Sequence, residues 1–245
     1  MSASQDSAVV FRGVGKRFDD WVFRGVDLAL PAECTSAIVG ESGCGKTTLL
    51  QLVNAVLRPD EGSVEVLGGE VPDSGLEAFR RRIGYAVQGA GLFPHLTLVE
   101  NVSLLARLER WGGDDIHARV GELFELVGLT RDLDHRYPHE LSGGQQHRAG
   151  LCRAMVLKPD MLLLDEPFSA IDPITRVDIY GEFETLQGHE QVTTVLVTHD
   201  IREARRLADY LVVMGGGGVV QAGNVDEVVS SPANDQVRRL LESGA

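Results

Sequence analysis

Chemistry in this chain begins at Gly40-Glu41-Ser42-Gly43-Cys44-Gly45-Lys46-Thr47-Thr48. Gly40, Gly45, Lys46 and Thr47 fit the spacing G-x-x-x-x-G-K-[ST]. Before it, Thr35-Ser36-Ala37-Ile38-Val39 is short and β-rich and reads as a buried strand. After it, Thr48-Leu49-Leu50-Gln51-Leu52-Val53 reads as a helix start. Glycines allow positive φ and close approach of backbone to a ligand. The loop N–H groups then form an anion-binding nest at a helix N-terminus. In such a loop Lys46 reaches the β- and γ-phosphates of a nucleoside triphosphate, and the Thr47 hydroxyl ligates Mg²⁺. A mere glycine-rich turn is the weaker reading, because the fixed positions and both flanks agree.

A second segment, Leu141-Ser142-Gly143-Gly144-Gln145-Gln146-His147-Arg148, carries the capping-box pattern S-x-x-Q. Gln146 to Leu157 can continue as a helix, so Ser142 and the Gly143 and Gly144 amides crown another phosphate-accepting N-terminus. One phosphate cluster does not need two such ends so far apart in one chain. Met161-Leu162-Leu163-Leu164-Asp165-Glu166 is an apolar run ending in two acids. It suits a strand buried on both faces, and ligands bind at the carboxyl ends of such strands. Val192 to Val197 is β-branched and ends in Thr198-His199-Asp200.

The elements that must position these residues follow from periodicity. Val9-Val10-Phe11 and Val22 to Leu30 read as strands, with Gly15 to Trp21 between them. Glu61 to Gly69 alternates and turns like a hairpin, and Arg82 to Val87 is a strand ending at Gln88. Leu92 to Thr97 breaks the pattern, while Leu98 to Leu108 and Asp115 to Val127 have helical spacing. Residues 89–157 therefore look like a mostly helical insertion in an α/β core. With 245 residues and 43% hydrophobic content, the chain suits one large α/β domain, or a domain with a subdomain. No apolar run approaches the roughly eighteen residues of a membrane span, and the polar N-terminus has no signal-peptide pattern. Cys34, Cys44 and Cys152 lack metal spacing and fit a reducing compartment. A net charge of −13 argues against a nucleic-acid groove.

Taken in this order, the motifs resemble the ATP-binding cassette ATPases over about residues 8–230. The resemblance implies an α/β P-loop NTPase fold of the ABC type: a RecA-like core and antiparallel β subdomain (8–88 and 158–232) with a helical signature subdomain (89–157). A C-terminal helix or tail (233–245) follows. It implies ATP and Mg²⁺ as ligands. Gly40 to Thr48 hold the phosphates, and Phe18 stacks on adenine, with Trp21 as the competing aromatic. Gln88 senses the γ-phosphate and Mg²⁺, Asp165 holds Mg²⁺ through water with Thr47, Glu166 polarises the attacking water, and His199 bonds the γ-phosphate. Ser142, Gly143, Gly144 and Gln145 complete the ATP site of a second copy, head to tail. Asp172, in Ser169-Ala170-Ile171-Asp172, matches the loop that contacts that copy. Ile171 replaces the usual leucine and His147 a common glutamine; neither removes a reacting group.

A finer resemblance lies in Gln88 to Thr97, Tyr137 to Ser142 and, above all, Asp172-Pro173-Ile174-Thr175-Arg176. These look like the ATPase subunits of importers for glycine betaine, choline, carnitine or proline betaine. Implied partners are a second ATPase subunit and transmembrane permease subunits, whose coupling helix meets residues around Leu92 to Asn101. A solute-binding protein is an indirect partner. The implied place is peripheral, on the cytoplasmic face of the inner membrane. Many such subunits continue into paired CBS domains; this sequence runs to Ala245, so salt sensing through them is expected to be absent. Alternatives are an importer for another solute (amino acid, polyamine, anion), a cassette transmitting force to envelope machinery, or a soluble cassette in repair or translation. The last is disfavoured by the single cassette and acidic charge.

Overall fold

The computed structural model describes residues 7–87, 89–169 and 171–242, with the backbone alone at 173 and 174. Gln88 and Ala170 thus lie outside the described residues. The chain begins with β1 (Ser7–Arg17), β2 (Trp21–Pro31), β3 (Thr35–Gly40), α1 (Lys46–Val53), β4 (Glu61–Val66), β5 (Gly69–Glu70) and α2 (Leu76–Arg81). There follow β6 (Ile83–Ala86), α3 (Leu98–Leu108), α4 (Gly113–Leu126), α5 (Gly143–Met155), β7 (Met161–Asp165) and α6 (Pro173–Glu190). It ends with β8 (Thr193–Val197), α7 (Ile201–Leu207), β9 (Tyr210–Gly215), β10 (Gly218–Asn224), α8 (Val225–Ser230) and α9 (Asp235–Glu242). Two compact units result: one takes the chain to Arg80 and from Thr193, the other Arg81 to Val192.

In the first unit, β1 pairs antiparallel with β2 and β4, giving the order β2-β1-β4-β5. Alternation sends Val9, Phe11 and Val14 of β1 and Val26, Leu28 and Leu30 of β2 into the core. The strand β1 runs on through Gly15-Lys16-Arg17, a stretch the sequence pattern leaves between strands. Lys16 pairs with Phe23 and Arg17 with Trp21. The apolar pattern has ended there, and ion pairs replace it: Lys16 to Asp60 at 2.9 Å and Arg24 to Glu61 at 2.7 Å. A second sheet is built on β3, whose residues are all buried. β8 and β9 flank it, both parallel, with Ala37 opposite Leu196 and Leu211. β10 returns from β9 through Gly216 and Gly217, both at positive φ (58° and 83°), as a two-residue type I′ turn demands. From α7, α8 and α9, Ile201, Ala204, Val228, Val237 and Leu241 join Ala37, Val39, Leu211 and Val213 in one core.

In the second unit, β6 and β7 pair in parallel from Ile83/Met161 to Ala86/Leu164. Gly84 lies so close to α5 that a Cβ would stand 2.4 Å from the Ala154 carbonyl. The strand pair and the helices α3 to α6 fall in one compact unit, Arg81–Val192. After α3 the Trp111 N–H donates to the Ala106 carbonyl at 3.0 Å. Cys152 is fully buried in this core, and burial pushes its thiol well above the usual range.

Arg119, 3% exposed, is the charged centre of the unit. It bonds both Glu190 oxygens (2.7 and 3.0 Å), Glu122 (2.9 Å) and the Met155 and Val156 carbonyls (2.7 and 3.4 Å). Removing one partner of a buried pair strands the other charge. Arg119→Ala should therefore lower the unfolding free energy in urea by about 3–5 kcal/mol. Arg119→Met combined with Glu190→Leu should recover most of that loss, because apolar residues then replace both charges.

Candidate nucleotide and catalytic site

The glycine loop leaves β3 under tight steric control. A Cβ on Gly40 would stand 2.4 Å from the Met214 carbonyl, and one on Gly45 2.8 Å from the Phe23 ring. Gly43 and Gly45 have φ of 80° and 98°, where glycine carries no steric penalty. α1 starts at Lys46 with no side-chain cap and no acid in its first turn. Its positive dipole end is therefore not offset by an acid or a side-chain cap of its own, which suits an anion. Lys46 is buried, and its Nζ donates to the Gly40 and Glu41 carbonyls at 2.8 and 2.9 Å. This holds the ammonium within the curve of the loop, 4.0 Å from the Cys44 Sγ. Glu41, Ser42 and Thr47 are exposed and Thr48 is half-buried. A helix start without a side-chain cap, a backbone cradle closed to side chains, a buried ammonium and the exposed Thr47 side chain together suit a triphosphate with a divalent cation.

β8 ends beside β3, at the same edge as Gly40, because the two strands are parallel. The Thr198 N–H donates to the Ile38 carbonyl at 3.1 Å, and Thr198 Oγ1 to Glu203 Oε2 at 3.1 Å. Asp200 caps α7 by accepting from the Arg202 N–H at 2.9 Å. His199 is exposed between these anchors. Phe18 sits in the β1–β2 turn and is 61% exposed. The Trp21 ring lies against Gly15, with the Arg17 and Arg24 guanidinium groups 5.8 and 4.7 Å from its centroid. Neither aromatic is a core residue, and Phe18 offers the freer face.

In the second unit, β7 ends in Asp165. Tyr85, on the paired strand β6, hydrogen-bonds this carboxylate; burial first, and the acid second, push its phenol up to about 12, so it stays a donor. Glu166 leaves the strand at φ 47°, a non-glycine conformation that costs on the order of 1–3 kcal/mol. Its carbonyl accepts from the Ser169 N–H (3.3 Å) and Oγ (3.0 Å), closing the bend. The capping box expected at Ser142 is formed: Ser142 Oγ accepts from the Gln145 N–H at 3.2 Å, and Gln145 Oε1 from the Ser142 N–H at 2.9 Å. Gly143 is exposed and Gly144 is buried against α6. Asp172 Oδ1 caps α6 by accepting from the Thr175 N–H at 3.0 Å. Gln88 is outside the description, but Gly89, Ala90 and Gly91 after it all have positive φ. Arg153 of α5 donates to the Gly91 and Ala90 carbonyls at 2.7 and 3.2 Å.

The expected residues are thus divided: Phe18, Gly40 to Thr48 and His199 belong to the first unit, and Asp165, Glu166, Ser142 to Gln145 and Asp172 to the second. Tyr85, Arg153 and the Pro167 contact of His147 escape sequence reading. Tyr85 carries only the faint signal of a polar tip in an apolar strand, and Arg153 none.

The family profile described as ABC transporter matches residues 23–169. The chain belongs to that family. Membership implies ATP binding. The glycine betaine uptake ATP-binding protein YehX of Escherichia coli is 45% identical over 84% of this chain and 67% of its own length. The glycine betaine/carnitine/choline transport ATP-binding protein OpuCA of Bacillus subtilis is 41% identical over 88% and 57%. The choline transport ATP-binding protein OpuBA of the same organism is 42% identical over 83% and 53%. The chain thus spans between about half and two thirds of the length of these relatives. Among solved ABC structures, CbiO1 of Clostridium perfringens superposes with a TM-score of 0.85 at 27% identity, covering 98% of this chain and 96% of that one. The dimeric cassette MJ0796 bound to ADP and Pi gives 0.78 at 29%, covering 89% and 98%.

His147 of α5 is buried, and its ring faces the Pro167 carbonyl, just after Glu166. Burial lowers its pKa from the ordinary 6.5, and the carbonyl only partly opposes this. The unfolded chain then binds the proton more readily, so this residue's contribution to stability falls as pH drops below about 6.5. Melting profiles from pH 8 to 5 should fall more steeply for the parent than for His147→Gln, which cannot titrate.

Proposed function

We propose that this chain is the ATP-hydrolysing subunit of a membrane importer for a quaternary-ammonium osmoprotectant of the glycine betaine or choline type. The observation that carries this is the complete set of phosphate-loop, signature and strand-end acidic residues in one chain, 41–45% identical to ATP-binding proteins named for those solutes. Phosphoryl transfer needs positioning and charge stabilisation more than covalent help. The loop amides and Lys46 bind and orient the β- and γ-phosphates. Glu166 takes the proton of the attacking water, and His199 and Gln88 fix the water and the γ-phosphate. Thr47, Asp165 and Gln88 would hold Mg²⁺, which supplies positive charge to the phosphate oxygens. Phe18 stacks on the base, a contact that needs only a π-face.

Ser142 to Gln145 and Asp172 serve a second copy, so that ATP bridges two chains head to tail. Hydrolysis removes charge-assisted bonds across that interface and lets the pair open, a ligand-driven two-state element. Permease subunits would receive the motion around Leu92 to Asn101, at the cytoplasmic face of the membrane. No described helix is long and apolar enough to cross a membrane. A second reading of the solute has support of its own. The Rhodococcus jostii Fe(3+) import protein FbpC 2 is 43% identical over 91% of this chain, and the Nitratidesulfovibrio vulgaris spermidine/putrescine import protein PotA 39% over 98%.

Lys46→Ala should abolish ATP binding in equilibrium titrations. Glu166→Gln should keep ATP binding, accumulate a dimer on gel filtration and lose about 10²–10⁴ in turnover; turnover like the parent's would overturn the base assignment. Ser142→Arg should leave nucleotide binding by the single chain intact and block turnover, and undiminished turnover would sink the two-chain site. Purification from gently solubilised membranes should bring down a multi-span permease. Betaine or choline binding by its associated binding protein supports the osmoprotectant reading, and iron or polyamine binding replaces it.

A further inference from the structure

Helices α5 and α6 of the second unit lie side by side, and their contacts advance together along both. A Cβ on Gly144 would stand 2.9 Å from Thr175 Cγ2 and 3.6 Å from Ile179 Cδ1. One turn on, Arg148 Nε meets Glu182 Oε2 at 2.5 Å and Nη2 meets Oε1 at 2.6 Å. The helices therefore run in the same direction, with the Ser142-capped and Asp172-capped ends adjacent. Two parallel dipoles with their positive ends together repel each other, and α5 has no acid in its first turn to offset this. The compensating attraction comes from the two-point Arg148–Glu182 fork, with both side chains about four-fifths buried (19% and 22% exposed). Burial pushes the Glu182 carboxyl up, and the Arg148 pairing offsets only part of that.

We propose that Arg148 and Glu182 are positioning residues of the ATPase, whose ion pair holds α5 and α6 in step so that Ser142 and Asp172 meet the second copy as one surface. This rests on the two-chain ATPase reading above. Arg148 lies between one and two turns past Ser142, and Glu182 nearly three turns past Asp172, so the pair touches neither cap. ATP capture by a single chain uses the loop of the other unit, so loss of the pair should leave that binding alone and slow only the step that needs two chains.

The test is turnover, single-chain ATP affinity and nucleotide-driven dimerisation (the last in a Glu166→Gln background) for R148E, E182R, R148K and R148E/E182R. The charge reversals should lower kcat by about tenfold or more and weaken the dimer, with the ATP Kd within about twofold of the parent. The reversed pair should recover most of both losses. R148K, a point charge that cannot span both oxygens, should melt near the parent yet turn over more slowly, which separates positioning from folding. An active parent with unchanged kcat in R148K and R148E overturns the proposal, as does a folded double reversal no better than the single ones. A parent with neither turnover nor a dimer overturns the two-chain reading itself, and this proposal with it.

Discussion

A strand with no exposed side governs the first unit. Strand β3 is buried from Thr35 to Gly40 and has parallel neighbours on both edges. Parallel neighbours cannot be joined by tight turns and need long crossovers. Both neighbours here come from the last quarter of the chain. The phosphate loop therefore stands on a strand whose partners are made only after residues 81–192 have been threaded out and back. Its steric closure depends on the same pairing, because the Met214 carbonyl that forbids a side chain at Gly40 belongs to β9. A local motif is thus completed by residues about 170 positions later.

How much of this was legible in the sequence depends on the range of the interaction. The strand, loop and helix around Lys46, the capping box at Ser142 and the helix from Leu98 to Leu108 are local, and period and residue type show them. The extension of β1 through Gly15-Lys16-Arg17 is not legible, since ion pairs with Asp60 and Glu61 replace the apolar alternation that marks a strand. The close packing of β6 on α5 is hidden for a similar reason: it rests on the missing side chain of Gly84 against Ala154. Within the candidate site, Tyr85 beside Asp165, His147 beside Pro167 and Arg153 beneath Gly91 are contacts between elements far apart in sequence, and no periodicity carries them.

Charge is used sparingly for structure and freely for surface. The net −13 coexists with a small set of buried cationic groups, each with a defined job. Arg119 draws two acids and two carbonyls to one point, Arg148 ties two helices, and Lys46 is held by the Gly40 and Glu41 carbonyls beside the Cys44 sulfur. The contrast between the first and last is chemical. A cation surrounded by carboxylates is neutralised, whereas one held by neutral carbonyls keeps its charge available to an anion.

The chain has two tryptophans, and they are shared out one to each unit. Trp21 packs in the β-sheet unit under Arg24, and Trp111 closes the end of α3 in the helical one. Each unit thus carries its own intrinsic fluorophore. Replacing either by phenylalanine would leave a single indole, so that excitation selective for indole over the four tyrosines would report on the surroundings of one unit at a time, without attached dyes.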